Sequence, residues 1–140
     1  MAIERTLTII KPDSAGASHI GEIITELERA GFHILAMRKM HLSRAQAEGF
    51  YAVHRDRPFF ESLVTFMTEG EIVPMALERE NAISALRELM GPTNSSEAPA
   101  ETIRGKFGTS IERNAIHGSD APETAAVELA FFFSRLELDR

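Results

Sequence analysis

Residues 5–13 read RTLTIIKPD. The run from Thr6 to Ile10 is β-branched or apolar, and Pro12 halts it, so a strand is predicted over 5–11. Its neighbours in the chain decide how that strand is used. Ile20, Ile23, Ile24 and Leu27 recur at helical spacing over 20–31, with Arg29 and Gly31 as a stop signal. Residues 32–42, FHILAMRKMHL, read as a second strand. Ser43 and Gln46 form a capping-box pattern that opens a short helix to about Tyr51. Another helix is predicted from Pro58, with Phe59, Phe60, Leu63, Val64 and Met67 on its apolar side, ending before Gly70. Residues 72–78 read as a third strand, whose Pro74 is expected at an edge or a bulge because it lacks a ladder donor. A helix over 81–90 turns Ala82, Leu86, Leu89 and Met90 inward and is closed by Gly91-Pro92. Residues 92–122 show no sustained period and are expected to form a long functional loop. Pro122 to about Leu129 looks helical, and LAFFFS (129–134) looks like a last strand. Two βα units split around a strand pair predict an α+β sandwich of the ferredoxin-like kind, with a four-stranded sheet.

The chain's 140 residues suit a single domain, 1–140. With 44% hydrophobic and 26% charged residues, it can build a core without staples. It has no cysteine, which excludes disulfides, thiolate chemistry and zinc–cysteine sites. Glu4, Arg5 and Lys11 interrupt the apolar N-terminal run, so neither a signal peptide nor a membrane span is expected, and the cytoplasm is the default location. A net charge of −6 argues against general nucleic-acid binding. Any anionic ligand must be met by a local cluster of cations.

Of the five histidines, His19, His33 and His41 have no metal-type spacing and read as surface or half-buried polar residues. His117 differs. It lies in NAIHGSD (114–120), where Gly118 and Ser119 are expected to leave it uncrowded, and Arg104 and Arg113 precede it. A neutral imidazole is a good nucleophile towards phosphorus when a partner fixes its other nitrogen, and Glu128 is a candidate orienter. Arg87 is expected at the border of the apolar arc of its helix. With Arg104 and Thr93 it could receive phosphate oxygens through forked hydrogen bonds. Tyr51, the only tyrosine, could donate to a phosphate or to a histidine. Helical spacing cannot bury Phe59 and Phe60 equally, so one is expected to be exposed as a stacking platform. Lys11 stands at a strand end where the chain must turn. There is no G-x-x-x-x-G-K-[ST] loop, so this is not a P-loop site.

Together these stretches resemble the nucleoside diphosphate kinase family. ERTLTIIKPD, FYAVHRDRPFF, LVTFMTEG, MGPTN, TIRGKF and NAIHGSD succeed one another in the family's order and spacing over nearly the whole chain. The short tail after Phe133 resembles the bacterial branch. The resemblance implies a ping-pong transfer of the terminal phosphoryl group of a nucleoside triphosphate to a nucleoside diphosphate, through a phosphohistidine at His117 and with broad base tolerance. It implies catalytic roles for His117, Glu128, Tyr51 and Lys11, with Ser119 helping Glu128 to orient the imidazole. Lys11 and Asn114 would bind the ribose hydroxyls. Phe59 would stack the base with Ile111 across from it, and Arg87, Thr93, Arg104 and His54 would contact phosphate. Mg2+ would bridge the nucleotide's phosphates with little direct protein ligation, and the assembly would be a homo-oligomer, a tetramer or hexamer. Glu71, Pro74, Arg79, Pro92, Ser95 and Ser14 depart from the family's usual residues, but none replaces a residue assigned to chemistry. A nucleotide-binding module without turnover, or a purely structural relative, would be expected to have lost part of the set Lys11, Tyr51, Arg87, Thr93, Arg104, Asn114 and His117.

Overall fold

The computed structural model describes residues 2–139, so the two end positions of the expected 1–140 unit lie outside the described residues. Among these, β1 (Ile3–Ile10), β2 (His33–Met37), β3 (Val73–Glu80) and β4 (Ile116–Gly118) form an antiparallel sheet in the order β2-β3-β1-β4. Eight α-helices accompany the described strands: α1 (Pro12–Gly16), α2 (Ile20–Arg29), α3 (Arg44–Phe50), α4 (Phe60–Met67), α5 (Ala82–Met90), α6 (Ile103–Phe107), α7 (Pro122–Phe132) and α8 (Arg135–Leu138). The ferredoxin-like strand order is as expected.

Period-two alternation in β1 sends Leu7 and Ile9 to one face and Ile10 to the other. Leu7, Ile9 and Ala76 pack with Ala47 of α3, Val64 and Met67 of α4, and Leu129 and Phe132 of α7. Across the sheet, Ile10, Met75, Leu77 and Ile116 meet Ile23 and Leu27 of α2, Leu86 and Met90 of α5, and Ile103 of α6. Both faces are therefore covered, which is why every residue from Thr6 to Ile10 is buried, the two threonines included. Each such fully buried side chain contributes about 1.5–3 kcal/mol of transfer free energy. The central strands thus form a rigid support for whatever is attached to their ends.

The local signals near helix ends agree with the structure. Ser43 Oγ accepts from Gln46 N–H at 3.1 Å while Gln46 Oε1 accepts from Ser43 N–H at 2.8 Å. Gly91 closes α5 at φ +85, a left-handed value that glycine adopts without strain.

Pro74 is neither in an edge strand nor at a bulge. It lies in β3, between β1 and β2 in sheet order, opposite Ile9. Its carbonyl accepts from Arg38 N–H at 3.1 Å, just past the end of β2. A strand residue's N and O point the same way, so the missing donor faces the place where β2 has already ended. The unusual Arg79 is also accommodated: its Nη1 donates to Ala30 O, and its guanidinium lies 5.3 Å from the centroid of the Phe32 ring.

Two expectations fail near the C-terminus. LAFFFS is not a strand; α7 runs on through Phe132. Ala125, Leu129 and Phe132 are its buried residues, at helical spacing, and that packing overrides the β-propensity of three consecutive phenylalanines. The stretch 92–122 is not an unbroken loop either, because it holds α6 and β4. The fourth strand is therefore Ile116–Gly118, and His117 is a strand residue. The short α1 directly after β1 was not anticipated.

Candidate active site

β4 pairs with β1 through Thr8–Gly118, Ile9–His117 and Ile10–Ile116. Cross-strand partners share a face, so His117 points with Ile9 towards the α3, α4 and α7 layer. Thr8 Oγ1 donates to His117 O at 2.7 Å and fastens the strand from the side. Gly118 points the other way. A Cβ there would come within 2.9 Å of Leu86 and Met90, both fully buried. Its smallness admits α5 to the sheet; it does not clear space around the imidazole, as the sequence had suggested.

The strand is entered through a tight turn. Ile116 N–H donates to Asn114 O at 2.8 Å across Ala115, whose φ is +74. This is the geometry of a γ-turn of the rare, strained hand. The turn is held from both sides: Ala115 N–H donates to Asp13 Oδ2 at 3.0 Å, and Lys11 N–H to Ala115 O at 2.9 Å. Burial raises the Asp13 carboxyl above its ordinary value, against the pull of its backbone donors.

His117 Nε2 lies 2.8 Å from Glu128 Oε1. The same oxygen accepts from Ser119 Oγ–H at 2.8 Å. Ser119 is fully buried, and Leu7 N–H donates to its Oγ at 3.3 Å. Helix α7 aims Glu128, since burying Ala125, Leu129 and Phe132 fixes its rotation and leaves position 128 at the edge of the apolar stripe. An ionised carboxylate only accepts, which assigns the hydrogen to Nε2 and leaves the lone pair on Nδ1. The His117 side chain keeps about one-fifth of its surface open, 21%.

The second group is cationic. Lys11 is buried, and its Nζ donates to Asn114 Oδ1 at 2.8 Å. Asn114 Nδ2 in turn donates to Thr93 O at 3.0 Å and Ile111 O at 3.1 Å. Burial, with the charge of Arg104 next, pulls Lys11 down from 10.5 to about 8. Arg104 is buried too; its Nη1 donates to Gly91 O at 3.0 Å and its Nη2 to Ile116 O at 2.8 Å. Its Nε has no partner among the described residues. Burial, then the charge of Arg87, lowers it to about 10. The hydrogen bonds of both buried cations thus go to neutral acceptors, while their positive neighbours depress them further. Such an arrangement is stabilised by an arriving anion.

The third group lies beyond the C-terminus of α3. Tyr51 is buried, its hydroxyl lacks a partner among the described residues, and burial with the nearby charge of Glu128 raises it well above the usual phenol range. The His54 ring stands 6.4 Å from Tyr51 and 5.3 Å from Phe59. Phe60 is buried and Phe59 is 47% exposed, the division that helical spacing predicted. Ile111 is 64% exposed. A cleft of about 360 Å3 runs between α4 and the 109–113 segment. It is bridged by Ser62–Glu112 at 3.0 Å and Arg113–Glu69 at 2.7 Å, and neither His117 nor Lys11 lines it.

The structure therefore joins His117, Glu128 and Ser119 in one hydrogen-bonded chain, and Lys11, Asn114 and Thr93 in another. Arg104 reaches the residue before His117. Arg87 differs from expectation: it is exposed, not held against the core edge, because Leu86 and Met90 take the buried positions of α5. Thr93 is also exposed and joins through its carbonyl. Asp13, which holds the turn before β4, and Phe50, whose ring stands 5.7 Å from that of His117, had no assigned role. An acid directly after Pro12 was the available signal for the first; nothing in the local pattern marked the second.

Among the described residues, no group of three or more His, Asp or Glu could hold a metal ion. No described helix is long and apolar enough to cross a membrane.

Comparison with known proteins gives a consistent result. The profile described as "Nucleoside diphosphate kinase" matches residues 4–138. A nucleoside diphosphate kinase of Chlamydia pneumoniae is 58% identical over 97% of this chain and 94% of its own. One from Desulfosudis oleivorans is 57% identical over 97% and 98%. Among solved structures, the Aquifex aeolicus nucleoside diphosphate kinase superposes with a TM-score of 0.96 at 46% identity, covering 98% of this chain and 99% of that one. A halophilic nucleoside diphosphate kinase from Halobacterium salinarum in complex with CDP gives 0.94 at 38%, covering 99% and 93%.

Proposed function

Because this chain belongs to the nucleoside diphosphate kinase family, whose reaction is nucleotide phosphoryl transfer, we propose that it works by a ping-pong route through a phosphohistidine at His117. The observation that carries this reading is the bond of Nε2 to Glu128, which leaves Nδ1 with the lone pair. Nδ1 attacks the γ-phosphorus of a bound triphosphate. The bond from that phosphorus to the bridging oxygen breaks, and the diphosphate leaves with the electron pair. In the second half, a terminal oxygen of an incoming diphosphate attacks the phosphorus, and the P–N pair returns to Nδ1. Glu128 stabilises the positive charge that grows on the ring, and Ser119 holds Glu128 in place. Tyr51, Arg104, Arg87, Thr93 and His54 meet the phosphate oxygens, while Lys11 and Asn114 grip the ribose hydroxyls. Positioning and charge supply most of such a transfer. The test is incubation with γ-labelled ATP alone: an acid-labile, alkali-stable label should form on the protein and pass to any added diphosphate. A label that appears only when an acceptor is present would overturn the reading.

The residues facing the phosphates are cations and neutral groups, which suit phosphate oxygens and not a metal. Mg2+ in this reading would come with the nucleotide and not be held by these side chains, and it would supply neutralisation of phosphate charge. We further read the chain as one domain spanning 1–140, acting in the cytoplasm as a homo-oligomer, a tetramer or hexamer. The edge position of β2 and the exposed Met37 support the last point, and a molar mass measured in solution tests it.

Phe59, stacking the base with Ile111 opposite, makes the site tolerant, since every base has a π-face. Phe59→Ala should raise KM for adenine, guanine, cytosine and uracil nucleotides alike, by an amount matching ~1–3 kcal/mol. Steady-state kinetics with the four triphosphates check this; a change confined to one base would mean edge recognition instead.

Lys11 carries a pH signature. Between about 8 and its ordinary 10.5, the unfolded chain binds a proton that the folded chain lacks. Stability of the free protein therefore rises with pH through that window, and the burden is fully present below it. Lys11→Met should accordingly raise Tm at pH 7 while abolishing tight nucleotide binding. In the parent protein, KM should climb above pH 8 as the charge is lost. Thermal melts and a KM–pH profile decide; a lower Tm for Lys11→Met would refute the account.

A further inference from the structure

We infer that Phe50 is a positioning residue for the reaction, setting the plane of the His117 ring; this rests on the phosphohistidine reading. One hydrogen bond, Nε2 to Glu128, fixes one edge of the imidazole. It leaves the ring free to swing about that contact, which moves Nδ1 sideways. Only a second contact against the ring itself can arrest that swing. Phe50, the last residue of α3, supplies it: the two rings stand 5.7 Å apart at 78°, an edge-to-face pair. Such a pair has a preferred mutual angle, so it restrains orientation as well as distance.

Phe50 is itself restrained. Its ring meets Tyr51 at 4.9 Å and 88°, Phe131 at 5.3 Å and Phe132 at 5.2 Å. Two of these partners lie on α7, the helix that also carries Glu128. One rigid element therefore aims the imidazole twice, directly through Glu128 and indirectly through Phe131, Phe132 and Phe50. Tyr51, beside Phe50 in sequence, is placed by the same cluster. Phe50 is only partly buried, so it is not simply a core residue. In-line attack on a phosphorus held by fixed cations tolerates little misdirection of the attacking atom.

The experiment compares two phosphoryl donors on the parent protein, Phe50→Leu and Phe50→Tyr. ATP is held by the site and must be met from one direction. Phosphoramidate is small, lacks the base and ribose contacts and is not held to one line of approach to Nδ1. For Phe50→Leu, labelling of His117 from saturating ATP should slow roughly tenfold, with KM unchanged within about twofold. Its labelling from phosphoramidate should proceed at the parent rate, and Phe50→Tyr, which keeps the ring, should restore transfer from ATP. The inference is overturned if Phe50→Leu labels from ATP at the parent rate, if both donors slow equally, or if Phe50→Tyr is as slow as Phe50→Leu. Should Phe50→Leu fail to fold in thermal melts, Phe50→Met carries the same comparison. Failure of the parent protein itself to label from ATP would instead overturn the phosphohistidine reading, and this inference with it.

Discussion

His117→Ala should take up no label from γ-labelled ATP and should lose at least ~10⁴-fold in kcat/KM, the scale on which removal of a nucleophile is felt when the rest of a site persists. The loss should be selective. The imidazole is partly exposed and meets the apolar layer at its margin, on the half-buried Phe50, so the sheet and its helices keep their packing. Glu128 keeps its bond from Ser119, and the strand keeps the Thr8 hydroxyl on its backbone carbonyl. Nucleotide should therefore still bind, read by calorimetry, and Tm should stay close to that of the parent. The sharp comparison is between labelling and binding. A variant that binds and still becomes labelled would move the nucleophile elsewhere; one that turns over without any label would imply direct transfer between two bound nucleotides.

Arg104→Ala should reduce kcat/KM by ~10²–10³-fold, the usual consequence of removing one preorganised group beside developing charge. Its guanidinium does more than carry charge. By donating to Gly91 O and Ile116 O it joins the end of α5 to the strand that carries His117, and its substitution leaves two carbonyls to find other partners. Arg104→Lys separates the two effects, because a single ammonium cannot span both carbonyls in the same fork. Activity should fall between that of the parent and Arg104→Ala. A second readout is independent of rate. Since the charge of Arg104 helps to depress Lys11, its removal should move the alkaline rise in KM to higher pH. Full activity in Arg104→Ala would separate this residue from the phosphates, and an unmoved pH profile would separate it from Lys11.

The features legible ahead of the structure were mostly local. Ser43 with Gln46 announced a helix start, Gly91 a helix end, and Phe59 beside Phe60 an exposed ring, because each depends on neighbours within a turn or two. β4 was not legible as a strand. It is three residues long, comes after a strained turn, and exists because Thr8, Ile9 and Ile10 pair with it from the far end of the chain. The aromatic run at 131–133 was misread for a related reason: its helical state is imposed by the sheet face that takes Leu129 and Phe132. Gly118 was credited with freeing the imidazole, whereas its neighbour is α5 on the opposite face. Types of residue suggested the chemistry; which side of the sheet each one faced emerged only from the register.

That register also governs when the molecule can begin to work. Leu7 meets Ser119, Lys11 meets Asn114, and Thr8 meets His117 across 112, 103 and 109 positions of chain. During synthesis, β1 emerges early and waits, with its outer side unpaired, until β4 arrives. The group that aims the imidazole comes later still, on α7. A nascent chain, or one cut short before Glu128, thus has Lys11, Arg104 and Phe59 but no partner for Nε2 of His117 on α7. On the phosphohistidine reading, activity should begin only when α7 docks, and a chain cut short before Glu128 should take up no label from ATP.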